Sequence, residues 1–205
     1  MASLPSEWTD GCDTRAFDIA RAAYESPGRH YHNWDHVVAC VDKLKGIPCE
    51  NPRLLFLALV FHDAIYVPGR TDNEVESAVL ARETLSALCS ITALELDAIE
   101  RMILATRDHH ALAGTLSADE AVLLDIDLSI LGSSREEYAH YARAIRDEYV
   151  PAAATDTQFR IGRLDFLRRL ISMPHVFLTE EGQRRWGDAA RANLAWEAEE
   201  LAGEG

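Results

Sequence analysis

LLFLALVFHDAIYVPG, residues 54–69, is the stretch that decides the fold. Its first eight residues are apolar on every side, the pattern of a helix surrounded by other helices rather than one lying on a surface. The run is far shorter than the roughly 18 apolar residues that a membrane span requires. It ends on His62 and Asp63, an imidazole and a carboxylate at the edge of a segment that should be buried. Outward from it, apolar residues recur at spacings of three and four, and no convincing strand alternation is bounded by turn residues.

The expectation is an all-α multi-helix bundle. Helices are predicted over 13–25, 33–45, 52–65, 72–89, 92–107, 117–131, 134–149, 156–172 and 180–202. Asn33 can cap the second, and Asn51 before Pro52 resembles a cap followed by proline at the first helical position. Thr71 with Glu74, Thr92 with Glu95, Ser117 with Glu120 and Ser134 with Glu137 have capping-box spacing. The breaks at Pro27-Gly28, Pro68-Gly69, Gly132 to Ser134 and Pro174 are short, so residues 1–205 read as one domain. Its core would span 15–150, with helices over 155–202 packing on it. Trp186, Ala189, Ala190, Leu194 and Leu201 give the last helix an apolar face.

Hydrophobic residues make up 48% of the chain and charged ones 26%, the balance of a soluble globular protein. A net charge of −14 would repel polyanions, so neither a nucleic-acid polymer nor a membrane is an expected partner, while a small anion in a locally positive pocket is. The first residues lack a basic region followed by an apolar core, and cytoplasmic residence is the default expectation. Cys12, Cys40, Cys49 and Cys89 form no CxxC pair and read as free thiols.

A second buried segment, AVLLDIDLSIL at 121–131, carries Asp125 and Asp127 among apolar neighbours. Burying an unpaired carboxylate costs several kcal/mol unless hydrogen bonds, a counter-charge or a metal compensates. If His36 projects from its helix toward His62, Asp63 and Asp127, two imidazoles and two carboxylates converge. Such mixed ligation suits divalent Mn, Fe, Co, Ni or Zn; a mostly oxygen set would suit Mg or Ca. His62 and Asp63 point about 100° apart on a helix and can still meet at an ion above its edge. With Asn33 as cap, His36 is the expected ligand, His32 lies just outside the helix and lines the pocket, and His30 sits on a solvated loop.

The ordered set His36, His62-Asp63 and Asp127 resembles the HD superfamily of metal-dependent phosphohydrolases. YHNWDHV, LALVFHDAIYVPG, DNEVESA, ILATRDHH, DIDLSILG, YARAIRDEYV, GRLDFLRRL and ARANL look like a small bacterial family of predicted metal-dependent HD phosphohydrolases, over nearly the whole chain. The resemblance implies a helical bundle holding one divalent ion through His36, His62, Asp63 and Asp127, with Asp125 as reserve ligand and Mg an alternative to the transition metals. His109, or His110 beside it, falls where some members hold a second metal.

The implied reaction is hydrolysis of a small phosphorylated molecule, a nucleotide first among them, by a metal-activated water. Asp63, Glu74 and His109 are the catalytic candidates, with Asn73 and Ser77 in support. Tyr31, His32 and Tyr66, together with Asn73, would line the substrate site, and Tyr31, Tyr66 or Trp34 could stack on a base. Arg70, Arg107, Arg146 and Arg163 are candidates for the phosphate, because guanidinium forks match its geometry. Arg191 and Asn193 would reach the pocket rim. The assembly would be a monomer or a homodimer. Two other readings compete: a di-iron oxygenase drawing extra ligands from His32, His109 or Asp125, and a binding module that holds metal and nucleotide without turnover.

Overall fold

In the computed structural model, which describes residues 4–108 and 115–203, residues 54–61 do lie inside an all-α bundle. The α-helices among the described residues are α1 Ser6–Thr9, α2 Thr14–Tyr24, α3 Trp34–Leu44, α4 Pro52–Phe61, α5 Asn73–Leu88, α6 Ala93–Ala105, α7 Ala118–Asp127, α8 Arg135–Tyr149, α9 Asp156–Ser172 and α10 Glu180–Gly203. Leu55 through Phe61 of α4 are fully buried, and α4 packs against α1, α2, α3, α5, α6 and α7. A helix so enclosed can be apolar all round, as its sequence is. No described helix is long and apolar enough to cross a membrane.

Capping chemistry sets most of the helix starts. Reciprocal capping boxes form at Thr92–Glu95, Ser117–Glu120 and Ser134–Glu137, and Thr155–Gln158 adds one that was not foreseen. The expected box at Thr71–Glu74 does not form: α5 starts behind Asp72, which Arg70 holds at 2.7 and 2.8 Å. Asn73 meanwhile turns back to bond the backbone N–H and C=O of Val67, both at 3.0 Å.

Three further differences from expectation concern the chain path. Helix α4 ends at Phe61 instead of continuing to 65, because its following backbone groups find other partners. The Asp63 N–H meets the Tyr24 hydroxyl at 3.1 Å, and the Arg29 guanidinium donates to the carbonyls of His32, Asp63 and Ala64 at 2.9, 2.7 and 2.7 Å. The segment 117–131 divides at Asp127, where α7 passes into a 3-10 turn, Leu128–Gly132. Cys12 and Cys89 are not free thiols but a disulfide, across a short antiparallel bridge that joins the N-terminal segment to the end of α5; Cys40 and Cys49 are free.

Helix α10 lies across the 3-10 turn and α9. Trp186, Ala190 and Leu194 are buried on its inner face, while Ala189 is exposed and Leu201 only partly covered. Arg191 and Asn193 are tied to backbone rather than to a pocket rim. Arg191 bonds carbonyls at the end of α9, including Met173 at 2.9 Å, and Asn193 donates to the Leu131 and Ser133 carbonyls at 2.9 Å each.

Candidate metal centre

Three helix ends deliver the four predicted donors to one point. Asn33 caps α3 by accepting from the N–H groups of Asp35 and His36, which fixes His36 in the first turn with its ring facing inward. His62 and Asp63 follow the last residue of α4, and Asp127 ends α7. Ends of buried helices can present side chains to a common point without interrupting the packed faces behind them.

The His36 Nε2 atom lies 3.1 Å from His62 Nε2, 3.1 Å from Asp127 Oδ1 and 3.8 Å from Asp63 Oδ2. His62 Nε2 is 3.1 Å from Asp63 Oδ2 and 3.3 Å from Asp127 Oδ1. One donor atom from each residue lies within 4.8 Å of every other, so the group could hold a metal ion. Donors about 2.0–2.2 Å from a common tetrahedral ion sit roughly 3.3–3.6 Å apart, a spacing close to these.

Donor chemistry makes the same point independently. His62 Nδ1 lies 2.8 Å from the Leu59 carbonyl, which can only accept, so Nδ1 carries a proton and Nε2 is the nitrogen left for a ligand. That nitrogen faces another imidazole nitrogen and two carboxylates, a set that fits a cation. Burial of His62 opposes a charge on its ring, yet Asp63 and Asp127 outweigh burial and raise its pKa well above the usual histidine value. Burial likewise opposes ionisation of Asp63, and its imidazole neighbours, His62 foremost, hold its carboxyl down to about 2.

Asp125, two residues before Asp127, points elsewhere. Its carboxylate accepts from the Leu178 N–H at 2.6 Å and from the Thr179 N–H and hydroxyl at 2.8 and 2.6 Å. It leaves no room for a Cβ at Gly182 and anchors the start of α10. Of the two aspartates, Asp127 is therefore the one in the donor cluster.

Beside the cluster opens a cavity of about 590 Å³ whose wall includes Asp127, Tyr31, His32, Tyr66, Arg107 and Arg163. Tyr141, Tyr149, Phe159 and Phe166 make much of its remaining surface. A second cavity of about 730 Å³ is lined by His36 and Asp127, with His30, Lys43, His140 and Arg143 also in its wall. His30 is exposed, and contributes to that second wall.

The other expected residues divide sharply. Tyr31, His32, Tyr66 and Arg107 line the first cavity. So does Arg163, although its guanidinium is taken up by Glu197 at 2.8 and 3.0 Å. Arg70 and Arg146 do not line that cavity; they pair on the surface with Asp72 and Asp156. Asn73 and Ser77 hold the 65–67 turn, with the Ser77 hydroxyl on the Ile65 N–H and C=O, and Glu74 belongs to neither the cavity wall nor the donor cluster. Trp34 packs edge-on to Tyr24. His109 and His110 lie outside the described residues.

Glu148 was missed. It is buried at 2% exposure and accepts from the N–H groups of Tyr31 and His32, both at 2.8 Å, and from His32 Nδ1 at 2.6 Å. Burial works to raise its pKa, but the His32 ring and those N–H groups lower it. A signal was present: Tyr138, Tyr141, Ile145 and Glu148 share helical spacing, which sets a carboxylate on an otherwise apolar face. Arg29, whose guanidinium braces the loop carrying Asp63, offered no such pattern.

Comparisons with protein-family models, curated proteins and solved structures find no match to this chain.

Proposed function

We propose that the chain is a metal-dependent phosphohydrolase of HD type, acting on a small phosphorylated molecule, a nucleotide first among the candidates. The observation that carries this reading is the convergence of His36, His62, Asp63 and Asp127, of which Asp127 also lines an aromatic, arginine-bearing cavity. A divalent ion held by these four residues would supply Lewis acidity, lowering the pKa of water and polarising a phosphoryl oxygen. Zn, Mn, Fe, Co or Ni suits the two-nitrogen, two-oxygen donor set better than Mg.

The remaining work belongs to side chains. Asp63, held ionised by its neighbours, is suited to ligate and to orient an attacking water. Arg107 is exposed in the cavity wall and suits a phosphate oxygen, whereas Arg163 has its charge balanced by Glu197 and shapes the wall instead. Tyr66, Tyr149, Phe159 and Phe166 provide apolar and π surface for the organic part of the substrate. With one such donor group among the described residues, and the Asp125 carboxylate taken up by residues 178–179, a single ion per chain is favoured over a di-iron centre.

The test is phosphate release by metal-loaded protein from a panel of nucleotides, cyclic nucleotides and sugar phosphates. The reading predicts release that disappears with the bound metal in His62→Ala and Asp63→Ala. Undiminished release by either variant would reject it, and tight nucleotide binding without any product would favour a binding module.

A further inference from the structure

Resting on the phosphohydrolase reading above, we propose that Gly162 opens a slot on α9 for a flat aromatic ring. The substrate is then a phosphate ester that carries such a ring, a nucleoside phosphate rather than a plain sugar phosphate. Gln158, Phe159, Gly162, Arg163 and Phe166 all line the first cavity from α9. Spacings of three and four residues put them on one face of that helix.

No local reason calls for glycine at position 162. Glycine is the poorest helix former after proline, because it loses the most backbone freedom on folding. Crowding explains it at Gly132 and Gly182, where an added Cβ would run into Trp186 and Asp125. At Gly162 an added Cβ would meet nothing within 4 Å, and its φ is not among the positive values that favour glycine. What the missing side chain does is leave the cavity wall bare in the middle of a helix.

The flanks of the bare stretch suit a ring. Phe159 and Phe166, seven residues apart, are separated by about 10 Å along the helix axis. Arg163, which also falls between them on this face, is withdrawn: its guanidinium pairs with Glu197 and lies 5.0 Å from the centre of the Phe166 ring. Phe159 is braced by Tyr149 at 6.0 Å between centroids, and the Tyr149 hydroxyl lies 3.3 Å from that of Tyr66. The aromatic sides are thus held by neighbours, while the floor between them is backbone.

Gln158 adds a polar edge one turn before Gly162. Its Oε1 accepts from the Thr155 N–H at 2.9 Å and from the Thr155 hydroxyl at 3.0 Å, which settles the amide orientation and leaves Nε2 as a donor. Among the described residues that Nε2 has no hydrogen-bond partner. A ring nitrogen or carbonyl of a nucleobase is the matching acceptor, and stacking on Phe or Tyr faces suits any base. Arg107 and Asp127 line the same cavity, so ring and phosphate can be held in one space.

The experiment compares wild type, Gly162→Leu and Gly162→Ala after metal loading, on nucleoside monophosphates and on the ribose phosphate that lacks only the base. It reads bound metal, the thermal midpoint, kcat/KM for phosphate release and, by equilibrium dialysis, binding of the free nucleosides. The value of stacking a base on aromatic side chains predicts that wild type prefers the nucleotide by roughly 5- to 150-fold. Gly162→Leu, which fills the slot, should lose both that preference and nucleoside binding, with bound metal and turnover of the ribose phosphate as in wild type. Gly162→Ala should melt no lower than wild type and lose less of the preference.

A wild type that favours the ribose phosphate would overturn the slot and leave the phosphohydrolase reading standing. So would a Gly162→Leu protein that keeps the preference or loses both esters alike. Release from neither ester by metal-loaded wild type would overturn the phosphohydrolase reading, and nucleoside binding undiminished in Gly162→Leu would then overturn the slot as well.

Discussion

At one part of the cavity, Arg163 is buried against Glu197, which also accepts from the Tyr138 hydroxyl, while Arg163 reaches Tyr141 at 3.3 Å. In the donor cluster, His36 and His62 face Asp63 and Asp127, and no described lysine or arginine forms an ion pair with those carboxylates. Both groups bury polar atoms in an apolar bundle, yet only the first contains its own permanent cation. It closes on itself as a strut. The second, made of imidazoles and carboxylates, could receive a cation from outside, and buried charge alone would not have told the two apart.

The contrast breaks first at the strut. Arg163→Met strands a buried Glu197 and should cost about 3–5 kcal/mol, read by urea denaturation, while bound metal stays unchanged. Replacing both partners by apolar residues should recover most of that loss. A metal-free Asp127→Asn protein should be much less affected than Arg163→Met; if it were destabilised as severely, the donor cluster would be a strut too.

A smaller effect separates the two neighbouring aspartates. Asp125→Ala frees the N–H groups of Leu178 and Thr179 and should cost about 1.5–3 kcal/mol, the value of hydrogen bonds to a charged group, without loss of metal. Metal loss in that variant would make Asp125 part of the centre.

Acid should expose Glu148. Its carboxyl lies below its ordinary 4.5, so the native state binds this proton less tightly than the unfolded chain. The stabilisation is fully present above pH 4.5 and is lost as pH falls through the lower native value. Glu148→Gln should therefore lose stability less steeply over that acid range than wild type does. The same slope in both proteins would remove Glu148 from the account.

The weakest effects belong to the surface. Arg70→Ala and Arg146→Ala break exposed pairs and should leave stability nearly unchanged, with phosphate release intact. A large loss of release in either would restore it to the substrate site.

What was legible in the sequence follows the range of the forces involved. Residues 54–61 announced a buried helix because their pattern is local, and Asn33 or Ser117 with Glu120 marked helix starts because a cap acts over three residues. His36, His62, Asp63 and Asp127 stood out as polar groups in or beside apolar runs. The role of Asp125 was not readable, since its partners lie 53 and 54 residues away and its sequence context matches that of Asp127. Nor was the bond between Cys12 and Cys89, which depends on how α2 and α5 pack across a separation of 77 residues. Arginines were the least readable, because a guanidinium on a helix looks alike whether it faces a cavity, as Arg107 does, or a surface acid, as Arg70 does.

The central claim is that His36, His62, Asp63 and Asp127 together hold a divalent ion. Mass-spectrometric metal analysis of the folded protein after loading, beside Asp127→Ala and Asp125→Ala, tests it most directly. The account predicts one ion per chain in wild type and in Asp125→Ala, and none retained by Asp127→Ala. A wild-type chain that binds no divalent ion, or an Asp127→Ala chain that retains a full equivalent, would contradict it.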